Sequence, residues 1–171
     1  MTTVDTSSTP EALAARVRAI EDRLAIQDLA VRYCVAIDDG DYDGMVDMYT
    51  ENATLGETVG RKEVVDVLRT IRAGYGRTIH IPEAHTITFV DDDHATGLVL
   101  SHAELDIEKT TIHTFIRYYD EYERGEDSAW RFSNRTLKFA YALPFDEMSE
   151  SLTGVDTVRW PGTAAAPADA F

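Results

Sequence analysis

Apolar residues first recur along the chain with helical spacing. Leu13, Val17, Ile20 and Leu24 follow one another at three- and four-residue steps and so share one helical face. Ahead of them, Thr9-Pro10-Glu11 supplies an N-cap, a first-turn proline and an early carboxylate, all suited to the free N–H groups of a helix start. The pattern resumes in Ile26, Leu29, Ala30, Tyr33 and Ile37, which predicts a bend between the two runs. Asp38-Asp39-Gly40-Asp41 stops the helix, since Gly and Asp favour turns over its continuation. A short helix is expected over residues 42–49 and a brief strand over residues 53–59. A third helix follows Gly60, with Val64, Val65, Leu68 and Ile71 apolar.

Beyond Gly74 the period shifts from 3.6 toward 2. Residues 78–90, 95–106, 110–124 and 130–142 are rich in Thr, Ile, Val, Phe and Tyr, as strands prefer. Their short polar connections suit antiparallel hairpins. Helices first and a long meander afterwards predict an α+β domain over residues 9–142, its helices packed on one face of a curved antiparallel sheet that encloses a pocket. Residues 1–8 lack periodicity and read as a flexible tail. Residues 143–171 contain Pro144, Pro161, Pro167 and an Ala-rich stretch, and read as an irregular tail that covers the pocket mouth or packs on a partner.

At 171 residues the chain fits one domain. Its net charge of −15 opposes binding to nucleic acid or an anionic membrane. Cys34 is the single cysteine, so no internal disulfide can form, and its place on a presumed buried helix reads as small core filler. The first residues lack the basic and apolar runs of a secretory signal, and no stretch approaches the roughly 20 apolar residues of a membrane span. A cytoplasmic address is the expectation.

No Gly-rich phosphate loop or nucleophile elbow occurs. The five histidines form no His-x-His or His-x-x-x-His pair, so no metal is expected. Asp38 and His80 are the residue types of a carboxylate-oriented general base, but they lie 42 positions apart. His85 faces away from His80 in an unbroken strand, whereas a bulge at Pro82 returns it to the same side. Arg135, set among strand residues, needs an anionic or strongly polar partner if buried, either a substrate oxygen or one of the many acids. Tyr33, Tyr49 and Tyr118 are candidate O–H donors to a substrate, with core filling as the alternative. His94, in an Asp-rich turn, reads as solvated, and His102 and His113 as structural or interface residues.

The order of elements resembles the nuclear transport factor 2-like cone fold, in its SnoaL-like branch. The motifs that carry the resemblance are Ala25-Ile26-Gln27-Asp28-Leu29, Arg32-Tyr33, Ile37-Asp38-Asp39-Gly40-Asp41, Met48-Tyr49-Thr50-Glu51-Asn52-Ala53, Thr78-Ile79-His80 and Trp130-Arg131-Phe132-Ser133-Asn134-Arg135. Within the branch the pattern is similar to that of hexachlorocyclohexane dehydrochlorinase, scytalone dehydratase and bile-acid 7α-dehydratase. The resemblance implies elimination from a hydrophobic cyclic small molecule without a cofactor. It puts the family's Asp–His pair on Asp38 and His80, its pocket arginine on Arg135, and a tyrosine five residues before Asp38, at Tyr33. The dehydrochlorinase's lysine has no equivalent here. The same fold also hosts isomerases, cyclases and non-catalytic ligand-binding or assembly domains. A homodimer or homotrimer formed through the outer sheet face is expected.

Overall fold

The computed structural model describes residues 9–170, so the expected tail over residues 1–8 lies outside the described residues. Helix α1, Pro10–Asp39, is capped by Thr9, whose side chain accepts the Ala12 N–H, and it ends on Gly40 at φ 71°, a left-handed conformation that glycine tolerates. The helix runs unbroken through the expected bend. Only two positions separate Leu24 from Ile26, a turn of roughly 200° about the axis, so the second apolar run starts on the opposite side of one uninterrupted helix. Ile26, Leu29, Ala30, Tyr33 and Ile37 are buried, while Leu13, Val17, Ile20 and Leu24 are exposed.

Helix α2, Tyr42–Val46, is shorter than expected. The brief strand resolves into a hairpin of β1, Tyr49–Leu55, and β2, Thr58–Val59, which leads into α3, Arg61–Arg72. Four long strands follow: β3 Tyr75–Phe89, β4 His94–Ile107, β5 Thr110–Arg124 and β6 Trp130–Pro144. They form one open six-stranded sheet in the order β2-β1-β6-β5-β4-β3. Every pairing is antiparallel except β1 with β6, where the long intervening chain supplies the crossover that a parallel pair requires.

The second half of α1 lies against the sheet, and ahead of it the Asp22 carboxylate accepts both Arg124 terminal nitrogens at 2.7 Å and Trp130 Nε1–H at 3.1 Å. The core fills the space between α1, α3 and the inner sheet face.

The C-terminal segment is more ordered than its composition suggests. After β6 the chain makes a 3-10 turn, Phe145–Glu150. Strand β1 accompanies β6 only as far as Arg135, which leaves the rest of that edge unpaired. The segment then fills the gap: the Ala142 N–H donates to the Thr157 carbonyl at 2.8 Å, the Arg159 N–H to the Ala142 carbonyl at 2.7 Å, and the Asp169 N–H to the Phe139 carbonyl at 3.0 Å. A separate apolar cluster on the outer side joins Tyr141, Leu143 and Ala170 with Phe115 and Met148.

Candidate active site

Between α1, α3 and the inner sheet face lies a cavity of about 290 Å³. Its wall is mostly apolar and aromatic, with Ile37 from α1, Leu68 from α3, Ile116 from β5 and Phe139 from β6. Its polar groups are His80, Tyr33, Tyr75, Tyr118 and Arg72. Larger hollows of about 550 and 680 Å³ lie at the surface among charged side chains. They bring no acid–base pair together, so the smaller cavity is the candidate site.

Asp38 ends α1 and His80 sits early in β3, and the packing of helix on strand joins them. Oδ1 of Asp38 is 2.6 Å from His80 Nδ1 and accepts the Thr78 hydroxyl at 2.6 Å, while Oδ2 accepts the His80 backbone N–H at 2.7 Å. Partial burial pushes the Asp38 carboxyl up, but the bonds from His80 and Thr78 outweigh it, and the net shift is downward. An ionised carboxylate only accepts, so the Nδ1 proton belongs to His80, a residue of the cavity wall.

Tyr33 and Tyr118 line the cavity as well. Burial raises the pKa of both, so they stay neutral O–H donors at physiological pH. Behind them lies Arg135, 1% exposed and absent from the cavity wall. Of the two partners expected for a buried Arg135, the structure supplies the acid, as an internal ion pair. Arg135 Nε and Nη2 donate to the two Asp120 oxygens at 2.8 and 2.7 Å. Register pairs Arg135 with Asp120 directly across β5 and β6, which accounts for the partner. The guanidinium also stacks 4.1 Å from the Tyr33 ring centre and 4.6 Å from that of Tyr118, so it supports the two tyrosines from behind.

Tyr49 does not line this cavity. It is fully buried against Phe132, and its hydroxyl has no hydrogen-bond partner among the described residues. His85 does return to the inner face. Pro82 pairs with Ser101 and Ala84 with Leu100, so Glu83 is the extra residue of a bulge, and His80 and His85 face Ala103 and Val99 on the same side. Yet His85 lies under α1, away from the cavity, with Nε2 3.0 Å from the Tyr122 hydroxyl. That hydroxyl gives its proton to Asp120 at 2.8 Å, so His85 is the donor to it. Burial lowers the His85 pKa and keeps the ring neutral. Gly97 makes room for this contact, because a Cβ there would sit 2.9 Å from both His85 and Tyr122.

Three contributors escaped sequence reasoning. Thr78 holds Asp38, Arg72 stacks 5.6 Å over Tyr75 at the cavity, and Trp160 packs edge-on against Phe139 at 5.1 Å. The Thr78-Ile79-His80 motif contained the first, but no periodicity marked Trp160. Cys34 is buried, which pushes its thiol up to about 11 and leaves it inert. Among the described residues no three His, Cys, Asp or Glu side chains gather as metal ligands, and no helix is long and apolar enough to cross a membrane.

A family model described as a SnoaL-like domain matches residues 18–136. Among solved structures, hexachlorocyclohexane dehydrochlorinase LinA-type3 from Novosphingobium barchaimii LL02 superposes with a TM-score of 0.70 at 21% identity, covering 76% of this chain and 94% of that one. A hexachlorocyclohexane dehydrochlorinase (LinA) Type2 gives 0.70 at 22% identity, covering 86% and 99%. An NTF2-like protein with a cystatin-like fold from Novosphingobium aromaticivorans gives 0.61 at 24%, covering 77% and 90%. No curated protein matches the chain. Likenesses of this degree carry the fold alone.

Proposed function

Because the chain belongs to the SnoaL-like domain family, we propose that it is a cofactor-independent lyase, a dehydratase or related eliminase, acting on a compact hydrophobic cyclic molecule. The observation that carries this reading is the Asp38–His80 pair at a mostly apolar cavity. A neutral imidazole with Nδ1–H fixed on a carboxylate is a base suited to neutral pH.

In the proposed reaction, His80 Nε2 takes a proton from a ring carbon. The C–H electron pair becomes the new double bond as the bond from the neighbouring carbon to hydroxide or halide breaks. Asp38 stabilises the imidazolium that results, and the Tyr33 and Tyr118 hydroxyls hold the departing group or an adjacent carbonyl oxygen. The apolar wall keeps water out and strengthens these interactions. At about 290 Å³ the cavity is near the small end of ligand sites, which favours one or two rings over a long chain.

The two tyrosines also support a second reading. Hydroxyls that hold an enolate oxygen serve isomerisation or aldol cyclisation by the same base. Incubating the protein with a panel of cyclic alcohols, β-hydroxy ketones and halides, with product masses as the readout, separates the two. Loss of water or HX supports the lyase, and conserved mass supports the isomerase or cyclase. If neither appears and the compounds bind equally well to wild type and His80→Ala, the domain is a ligand binder.

A further inference from the structure

Helix α1 carries two apolar stripes. One packs on the sheet, and the other, made of Leu13, Val17, Ile20, Leu24, Val31 and Val35, faces away from it with each side chain between 44% and 59% exposed. At about 100° per residue these six fall within a sector of about 60°, nearly opposite the buried face. Four of them lie toward the N-terminus, where α1 is exposed at almost every position from Pro10 to Ala25.

We propose that the part of this stripe from Leu13 to Val31 is the seam of a parallel, two-stranded coiled coil between two copies of the chain, which ends there because the next core position, Cys34, is buried in the protein's own core. The spacing supports it: Leu13, Val17, Ile20 and Leu24 alternate steps of four and three, and Val17, Leu24 and Val31 repeat every seven. Val17, Leu24 and Val31 then occupy the a positions and Leu13 and Ile20 the d positions, with the polar Gln27 at the next d. The flanks identify the occupant. On the g side stand Arg16 and Arg23, and on the e side stand Glu21 and Asp28. A parallel pair sets the g flank of one helix against the e flank of the other, so Arg16 meets Glu21 of the partner subunit. An antiparallel pair sets arginine against arginine and acid against acid. Arg23 leans over Phe89 at 5.5 Å and Asp28 pairs with Arg32 at 2.9 Å, so these two shape the field of each flank while Arg16 and Glu21 are the crossing pair. Each body packs on the largely opposite face of α1, through Ile26, Leu29, Tyr33 and Ile37.

Sedimentation equilibrium on the full chain and on Leu24→Glu tests the proposal. The substitution is expected to halve the mass and raise the dissociation constant at least about 100-fold, with far-UV circular dichroism unchanged because the site is exposed. Leu13→Cys and Leu24→Cys, each oxidised alone, are expected to cross-link to themselves, which only a parallel in-register seam permits at both positions. A monomeric wild type, a Leu24→Glu variant of undiminished mass, or cysteines that cross-link only when the two variants are mixed would overturn it. Arg16→Glu should weaken the association, and adding Glu21→Arg should restore it.

Discussion

Asp38 holds His80 at two points, with Oδ1 2.6 Å from ring Nδ1 and Oδ2 2.7 Å from the backbone nitrogen. One carboxylate thereby fixes the position of the strand and the tautomer of the ring that strand carries. Replacing Asp38 with Asn keeps the shape but lets the ring adopt either tautomer. Turnover is expected to fall by about 100-fold or more, with the far-UV spectrum retained. Steady-state kinetics on the substrate found by product screening measures it, and unchanged turnover removes Asp38 from the mechanism.

The same group sets a pH dependence of stability. Its folded-state pKa is lowered, so the carboxylate's bonds stabilise the fold above the ordinary aspartate value and are lost as pH falls through the folded value. Urea midpoints for wild type and Asp38→Asn should therefore differ most at neutral pH and converge below about pH 4. A gap that widens in acid contradicts this sign.

Thr78 touches Asp38 and not the cavity wall, which makes it a positioning residue. Thr78→Val keeps the volume and removes one hydrogen bond to the carboxylate. The Asp38 pKa should then rise toward its ordinary range, and the acid loss of stability that Asp38 governs should begin at a higher pH in urea unfolding. Turnover at neutral pH should drop less than in Asp38→Asn. An unmoved acid transition together with unchanged turnover would mean that Thr78 does not position Asp38.

Arg135 and Asp120 form a buried pair with side chains 1% and 0% exposed. Removing either partner strands the other charge, so Arg135→Met and Asp120→Leu should each cost about 3 to 5 kcal/mol in urea unfolding. The double variant should unfold closer to wild type than either single one. Arg135→Lys should not rescue, since lysine lacks the flat fork that meets both oxygens and both rings.

Much of this architecture is legible in the chain because local rules decide it. Period-two runs broken by Asp-rich and Gly-containing turns mark β3 to β6 closely, and Pro82 signals the bulge that turns His85 inward. Two features needed more than local rules. The helix pattern reveals that residues 13 to 24 and 26 to 37 each have an apolar face, but a two-residue phase break reads equally as a bend or as opposed stripes. Only what packs on the helix decides between them. Similarly, Arg135 and Tyr49 have the residue types of a binding site. Asp120 across the register claims the one and Phe132 the other, partners that lie 15 and 83 positions away in sequence. Trp160 was invisible because irregular chain carries no period to read.

The C-terminal segment joins two properties that are usually separate. Residues 157–159 and Asp169 occupy the stretch of β6 that β1 leaves bare, and Trp160 in the same segment packs on Phe139 at the cavity. Displacing Trp160 to enlarge the cavity therefore also frees backbone groups between Phe139 and Ala142, and unpaired groups of that kind recruit foreign strands. Cavity size and protection of the β6 edge thus draw on one set of hydrogen bonds. A chain evolved for bulkier substrates by loosening this segment would be expected to become less soluble as it becomes more permissive.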